Sequence, residues 1–260
     1  MIYFLLPAYN EQEALEPIFE AISRLKFADE GWHVVVVDDG STDSTPQILR
    51  QWKDRIPLTV LTHESNQGLG RAMRTGLGYV IEVIKEGDAV VTMDSDNTHP
   101  PELALRMREK QKKEDLDVVI ASRYAHEGKE HGEEIGLARH RKILSKGAGI
   151  LLHTAFHIKG ARDYTCGFRM YSSRILKRAQ QVYGDELVEE SSFVCMVEIL
   201  VKLARIGARV GEVPLKLRYD LKKGASKMKV FRTIMRYFGF IWQYRFGGKL
   251  SRFFPRPQKA

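Results

Sequence analysis

The chain is 260 residues long, 43% hydrophobic and 28% charged, with a formal net charge of +8 and only two cysteines, Cys166 and Cys195. This excludes a disordered, fibrous or disulfide-stapled protein and leaves a folded domain large enough for a full core. The charge is uneven: residues 221–260 hold eleven Lys or Arg and no Asp or Glu, and subtracting those eleven from +8 leaves −3 for residues 1–220.

Strand-like runs at 2–6, 32–37, 58–62, 89–93 and 117–121 alternate with helix-like segments at about 11–25, 44–53, 67–85 and 100–114. The alternation predicts right-handed βαβ crossovers and a Rossmann-like, mainly parallel α/β sheet flanked by helices. The first run leads into Pro7-Ala8-Tyr9-Asn10-Glu11, the second into Asp38-Asp39-Gly40-Ser41 and the fourth into Asp94-Ser95-Asp96. Ligands of open α/β sheets bind beyond the carboxyl ends of the strands, so these polar exits mark one candidate site. Two carboxylates in one triplet can hold a hard divalent cation against a diphosphate. Helices opening at Ser44-Thr45-Pro46 and Pro100-Pro101-Glu102 start just beyond two of these exits, and their N-terminal dipoles favour phosphate nearby.

Asn66-Gln67-Gly68-Leu69-Gly70, followed by Gly76 and Gly78, lacks the Gly-x-Gly-x-x-Gly spacing of a dinucleotide fingerprint and its later acidic residue. A nicotinamide-dependent oxidoreductase is therefore disfavoured, and these glycines are read as close backbone packing. Ala125 to Arg139 has no apolar period and is expected to be a mobile loop, with His126, His131 and His140 solvated rather than ligating. Helices over 141–157 and 190–206 and a short strand over 208–213 complete the predicted fold.

Residues 226–246 place Val230, Phe231, Ile234, Met235, Phe238, Ile241 and Trp242 on one helical stripe. The longest charge-free span there, Tyr237 to Tyr244, is eight residues, far short of the roughly 20 a membrane-spanning helix needs. Two placements suit such a helix: flat on an anionic membrane surface or packed on the core. The first divides the chain into a catalytic body, 1–220, and a basic aromatic segment, 221–260. A tail gripping nucleic acid would leave the acidic strand exits without a role, so no nucleic acid is expected. The N-terminus opens on a strand rather than a basic leader, and the expected location is cytoplasmic, peripheral on the cytoplasmic face of a membrane.

Taken together, Pro7 to Glu11, Val37 to Asp43, Asn66 to Gly70, Asp94-Ser95-Asp96 with His99-Pro100-Pro101-Glu102, Ala121-Ser122-Arg123-Tyr124, Arg141 with Ser145, Asp163 with Gly167-Phe168-Arg169, and Gly224 to Lys227 form one pattern. Over about residues 1–230 it resembles the family 2 glycosyltransferases of GT-A fold, most closely the polyprenyl-phosphate hexosyltransferases of the dolichyl-phosphate mannose synthase type. The resemblance implies inverting transfer of a hexose, mannose or glucose, from a nucleotide diphosphate sugar to a polyprenyl or dolichyl monophosphate. It implies that Pro7, Tyr9, Glu11, Val37 and Asp39 line the nucleoside pocket, and that Asp94, Ser95 and Asp96 meet the diphosphate, with Lys227 reaching phosphate from the C-terminal side. Asp94, Asp96 and Thr98 would hold Mg²⁺ or Mn²⁺, and Arg123, Arg141 and Ser145 the lipid phosphate. Thr98 stands where close relatives often carry Gln, and Leu221 where the family tends to place Arg, with Arg218, Lys222 and Lys223 as substitutes.

A phosphate monoester, with its second pKa near 6, is already largely ionised at neutral pH, so such an acceptor requires no strong base. Asp163 is the candidate if a base exists; orienting Arg169 or capping a helix is its alternative role. An acceptor bearing a sugar or protein hydroxyl, the rival enzyme reading, would need a carboxylate base.

Overall fold

The computed structural model describes residues 1–128, 130–136, 139–221 and 230–246. Strands β1 (Ile2–Ala8), β2 (Trp32–Asp38), β3 (Leu58–Thr62), β4 (Ala89–Thr92) and β5 (Val118–Ser122) alternate with helices α1 (Leu15–Ser23), α2 (Thr45–Trp52), α3 (Leu69–Val83) and α4 (Leu103–Lys113). Next come β6 (His126–Glu127), β7 (Glu130–His131), β8 (Glu133–Ile135), α5 (Arg139–Phe156), β9 (Arg169–Ser172) and α6 (Ser173–Tyr183). The chain continues through α7 (Cys195–Arg205), β10 (Val210–Pro214), β11 (Lys216–Arg218) and α8 (Val230–Ile241), the last running into a π turn at Trp242–Phe246.

Seven strands form the main sheet in the order β10-β5-β9-β4-β1-β2-β3. All pairings are parallel except those of β9, which runs antiparallel to both β4 and β5. Val34 to Val37 and Val118 to Ala121 are wholly buried, as continuous apolar strands covered by helices on both faces should be. Ala8 lies opposite Asp38 and Leu5 opposite Thr92, so β1, β2 and β4 release their chains at one edge of the sheet.

Several boundaries differ from those the sequence predicts. The first helix starts at Leu15 rather than near residue 11, because Glu11 to Ala14 form a turn in which Ala14 N–H donates to the Glu11 carbonyl. The helix expected from 190 begins at Cys195. The stretch expected as a loop, 125–139, contains a β6–β7 hairpin that sets His126 opposite His131, while β8 pairs in parallel with β11. Strands of two or three residues are too short to leave a period-two pattern. β9 and α6 go unpredicted for a related reason: β9 is four residues long and begins at Arg169, a charged residue that is fully buried.

The described part of the basic segment packs on the core, one of its two predicted placements. Tyr237, Phe240 and Tyr244 are buried in the same hydrophobic core as the sheet, with the Phe240 ring 5.6 Å from that of Phe156 on α5. Met235, Phe238 and Trp242, from the predicted stripe, face outward and are more than half exposed. Among the described residues no helix is long and apolar enough to cross a membrane.

Candidate active site at the strand ends

The loops leaving β1 and β2 are stitched to one another. Asn10 N–H donates to Ser41 Oγ at 2.9 Å, Thr42 N–H to Asn10 Oδ1 at 2.8 Å and Glu11 N–H to Thr45 Oγ1 at 2.9 Å. Each polar exit turns through a left-handed residue: Asn10 at φ +52°, Gly40 at +71° and Asn97 at +62°. Such backbone is costly for residues other than glycine and persists where surrounding contacts enforce it, often at binding sites. Pro7 and Val37 are direct neighbours in the β1–β2 register, and Tyr9 and Glu11 follow, partly exposed, at the mouth.

Asp39 spends its carboxylate on the protein. It accepts from Gln67 N–H at 3.0 Å and Gly68 N–H at 2.8 Å, and lies 2.6 Å from His63 Nδ1, whose Nε2 is 2.9 Å from Thr75 Oγ1. It therefore fixes the loop that opens α3. Gly70 explains the close packing inferred there: a Cβ on it would lie 1.7 Å from the Glu190 carbonyl oxygen.

At the exit of β4, Asp94 N–H donates to His99 Nδ1 at 3.1 Å, and the His99 ring packs on Phe168 with centroids 5.2 Å apart. Ser95 Oγ donates to the Pro7 carbonyl at 2.9 Å, tying the triplet to β1. Thr98 gives both its N–H, at 3.2 Å, and its hydroxyl, at 2.6 Å, to Asp96 Oδ1. Thr98 thus orients the Asp96 carboxylate.

The donor set suits a hard divalent ion. A Cβ at Gly167 would sit 3.3 Å from Asp94 Oδ1, so the glycine leaves room beside that oxygen. Among the described residues no group of three or more His, Cys, Asp or Glu forms a metal cage. Two carboxylates completed by phosphate oxygens and water is how Mg²⁺ is commonly held, and Mn²⁺ also suits an all-oxygen shell.

Beyond β5, Arg123 uses all five side-chain N–H groups. Nε and Nη2 grip the two oxygens of Asp163 at 2.7 Å each, Nη2 also donates to Thr165 Oγ1 at 2.6 Å, and Nη1 donates to Glu134 at 3.0 Å and Ser145 at 3.1 Å. The partner of Asp163 is therefore Arg123 and not Arg169, whose guanidinium donates instead to the carbonyls of Met196 and Tyr164. Nor does Asp163 cap a helix; it accepts loop N–H groups of Thr165 and Cys166. Burial alone would raise its carboxyl pKa, but the Arg123 charge and hydrogen bonds bring it below the ordinary value. A fully buried carboxylate so held is a poor proton acceptor at neutral pH. Arg141 lies on α5, but its side chain, like all of Lys227, falls outside the described residues.

One site residue has no signal in the sequence. Arg218 N–H donates to the Thr98 carbonyl at 3.1 Å, which sets the following residue, Tyr219, beside the triplet. Burial pushes the Tyr219 hydroxyl up to about 12, with Arg123 opposing and Asp94, Asp96 and Glu134 reinforcing, so all four charges act on this half-buried ring. Tyr219 therefore lies near both the acidic triplet and the Arg123 cluster. The Arg218 guanidinium itself is engaged by Asp220 in a bidentate pair at 2.7–3.1 Å.

The mainly parallel sheet with one antiparallel strand and carboxylates at its exits defines the GT-A fold. Residues 3–179 match the description "Glycosyl transferase family 2", and the chain belongs to that family. It is 33% identical over 254 residues to a dolichol-phosphate mannosyltransferase of Pyrococcus furiosus, covering 95% of this chain and 65% of that protein. The chain thus spans just under two thirds of that relative's length. It is 31% identical over 229 residues to an undecaprenyl-phosphate mannosyltransferase of Micrococcus luteus, covering 86% of each. Its fold is similar to that of the glucosyl-3-phosphoglycerate synthase of Mycobacterium tuberculosis solved with Mn²⁺, UDP and glucosyl-3-phosphoglycerate. That likeness has a TM-score of 0.60 at 20% identity and covers 97% of this chain and 79% of the other.

Proposed function

We propose that this protein transfers a hexose from a nucleotide diphosphate sugar to a polyprenyl monophosphate, with inversion at the anomeric carbon. One observation carries the reading: the 163–167 loop grips Arg123, whose Nη1 donates to Ser145, through Asp163 and Thr165 and lies against Asp94 at Gly167, so a diphosphate site and an anion site are neighbours at one edge of the sheet. The polyprenyl-phosphate enzymes among its relatives support the choice of acceptor.

In this reading Pro7, Tyr9, Glu11 and Val37 line the nucleoside pocket, and Asp39 holds its wall. Asp94 and Asp96 hold Mg²⁺ or Mn²⁺, which supplies positive charge against the departing nucleoside diphosphate. Ser95 keeps the triplet against β1, and Lys227 reaches the diphosphate from the C-terminal side. Arg123, Arg141 and Ser145 receive the acceptor's phosphate, whose oxygen is nucleophilic without a protein base. Asp163 serves by aiming Arg123.

The exposed Met235 and Phe238 on α8 and Trp242 in the turn after it, together with exposed Ile150 on α5, form the apolar face that meets a membrane surface. Basic residues of the 221–260 segment add attraction to anionic lipid. The cytoplasmic face is the side where nucleotide sugars and anionic leaflets would meet.

The test is transfer of labelled hexose from GDP-mannose and from UDP-glucose, with Mn²⁺, to a short polyprenyl phosphate, to the matching polyprenol and to free sugars. Label on the polyprenyl phosphate alone is expected. Label only on hydroxyl acceptors would replace this reading with that of a hydroxyl-directed transferase.

A further inference from the structure

The five bonds of Arg123 divide by where their partners come from. Asp163 and Thr165, from the loop before β9, hold Nε and Nη2, and Asp163 is locked by further N–H donors at Thr165 and Cys166. Nη1 instead faces Glu134 Oε1 on β8 and Ser145 Oγ on α5. The Arg123 and Glu134 side chains are only 8% and 7% exposed, so this is a desolvated contact. β8 is three residues long; among the described residues its one strand partner is β11, and Glu133 N–H donates to the Leu215 carbonyl at 2.9 Å.

A carboxylate and a phosphate make the same charge-assisted contact with a guanidinium. Arg123 already faces two carboxylates, so a dianionic phosphate placed at Nη1 with Glu134 still present would bring a third anion to this guanidinium. In a poorly solvated site that repulsion is severe. A neutral hydroxyl, by contrast, offers no charge with which to displace a carboxylate.

The geometry points to Glu134 as the residue that sets acceptor specificity: its carboxylate occupies Arg123 Nη1 beside Ser145, and the acceptor's phosphate binds there by displacing it. This rests on the acceptor reading above. Asp163 and Thr165 keep the guanidinium aimed while Nη1 exchanges partners. Glu134 thereby admits phosphate acceptors and rejects neutral ones.

Glu134→Gln keeps the shape and an acceptor oxygen but removes the charge. The KM for a short polyprenyl phosphate should fall by about tenfold, the scale of one charge-assisted bond, while the KM for the sugar donor stays put. Glu134→Asp, which retains the charge, should not lower it. In the wild-type protein, adding the short polyprenyl phosphate should speed hydrogen exchange at the Glu133 amide, and the matching polyprenol should not. An unchanged or raised acceptor KM in the Gln variant, or unaltered exchange at Glu133, overturns the assignment. If the wild-type enzyme does not transfer to polyprenyl phosphate at all, the acceptor reading falls and this assignment with it; transfer with an unmoved KM removes only the role of Glu134.

Discussion

Asp163→Asn separates a positioning carboxylate from a catalytic base. Asp163 is fully buried; Oδ2 accepts Arg123 Nε at 2.7 Å and Arg123 N–H at 3.2 Å, and Oδ1 accepts Arg123 Nη2 at 2.7 Å together with the N–H groups of Thr165 and Cys166. An amide keeps one acceptor oxygen and turns an NH₂ toward donors that can no longer be satisfied. Breaking a buried ion pair from one side costs about 3–5 kcal/mol; Glu134 still neutralises part of the Arg123 charge, so the lower end is expected. Urea unfolding at pH 7 measures it. Because the folded-state pKa of Asp163 lies below its ordinary value, its stabilisation is complete above the unfolded carboxylate value near 4 and is lost as pH falls through the folded value. The gap between wild type and variant should therefore close in acid. In turnover, the variant should raise the acceptor KM through a misaimed Arg123 and leave the acid limb of the pH profile in place. A loss under about 1 kcal/mol at pH 7, or disappearance of the acid limb, would refute the reasoning.

Asp96→Ala should lower hexose transfer by about 10²-fold or more, the cost of removing one preorganised electrostatic contact, and cost about 1–3 kcal/mol of stability from the Thr98 donors left unpaired; a radiolabelled transfer assay with a thermal scan checks both. Gly70→Ala should destabilise by about 1–3 kcal/mol or more, since the added carbon meets a backbone carbonyl rather than a yielding side chain. It should also weaken nucleotide binding by shifting the 66–68 loop that Asp39 grips, as titration calorimetry would detect. Replacing exposed Phe238 and Trp242 with Ser should leave stability nearly unchanged but reduce sedimentation with anionic vesicles; unchanged sedimentation would remove the membrane role of α8.

The sheet and its polar edge were legible because buried parallel strands leave unbroken apolar runs such as Val34 to Val37, and because three such runs each lead into a polar or acidic turn. β9 was hidden because it is short and starts with an arginine that hydrogen-bonds to carbonyls in the core. The partner of Asp163 was not readable, since Arg169 lies close by in sequence while Arg123 lies at the end of another strand, and only the fold decides which one it meets. Tyr219 was invisible for the same reason: it follows β11, which is placed by its pairing with β8 and by the backbone bond from Arg218 to Thr98. The helical period of 226–246 located α8, but a residue-by-residue stripe cannot say which apolar side faces the protein when both sides are apolar.

The central claim is that Asp94 and Asp96 hold a divalent ion against a nucleoside diphosphate. Calorimetric titration of GDP and UDP into the protein, with and without Mn²⁺, tests it most directly when repeated on Asp94→Asn/Asp96→Asn. Tight binding of one nucleotide that depends on Mn²⁺ in the wild-type protein, with that dependence lost in the double variant, is expected. Affinity indifferent to the ion while both carboxylates are intact would contradict it.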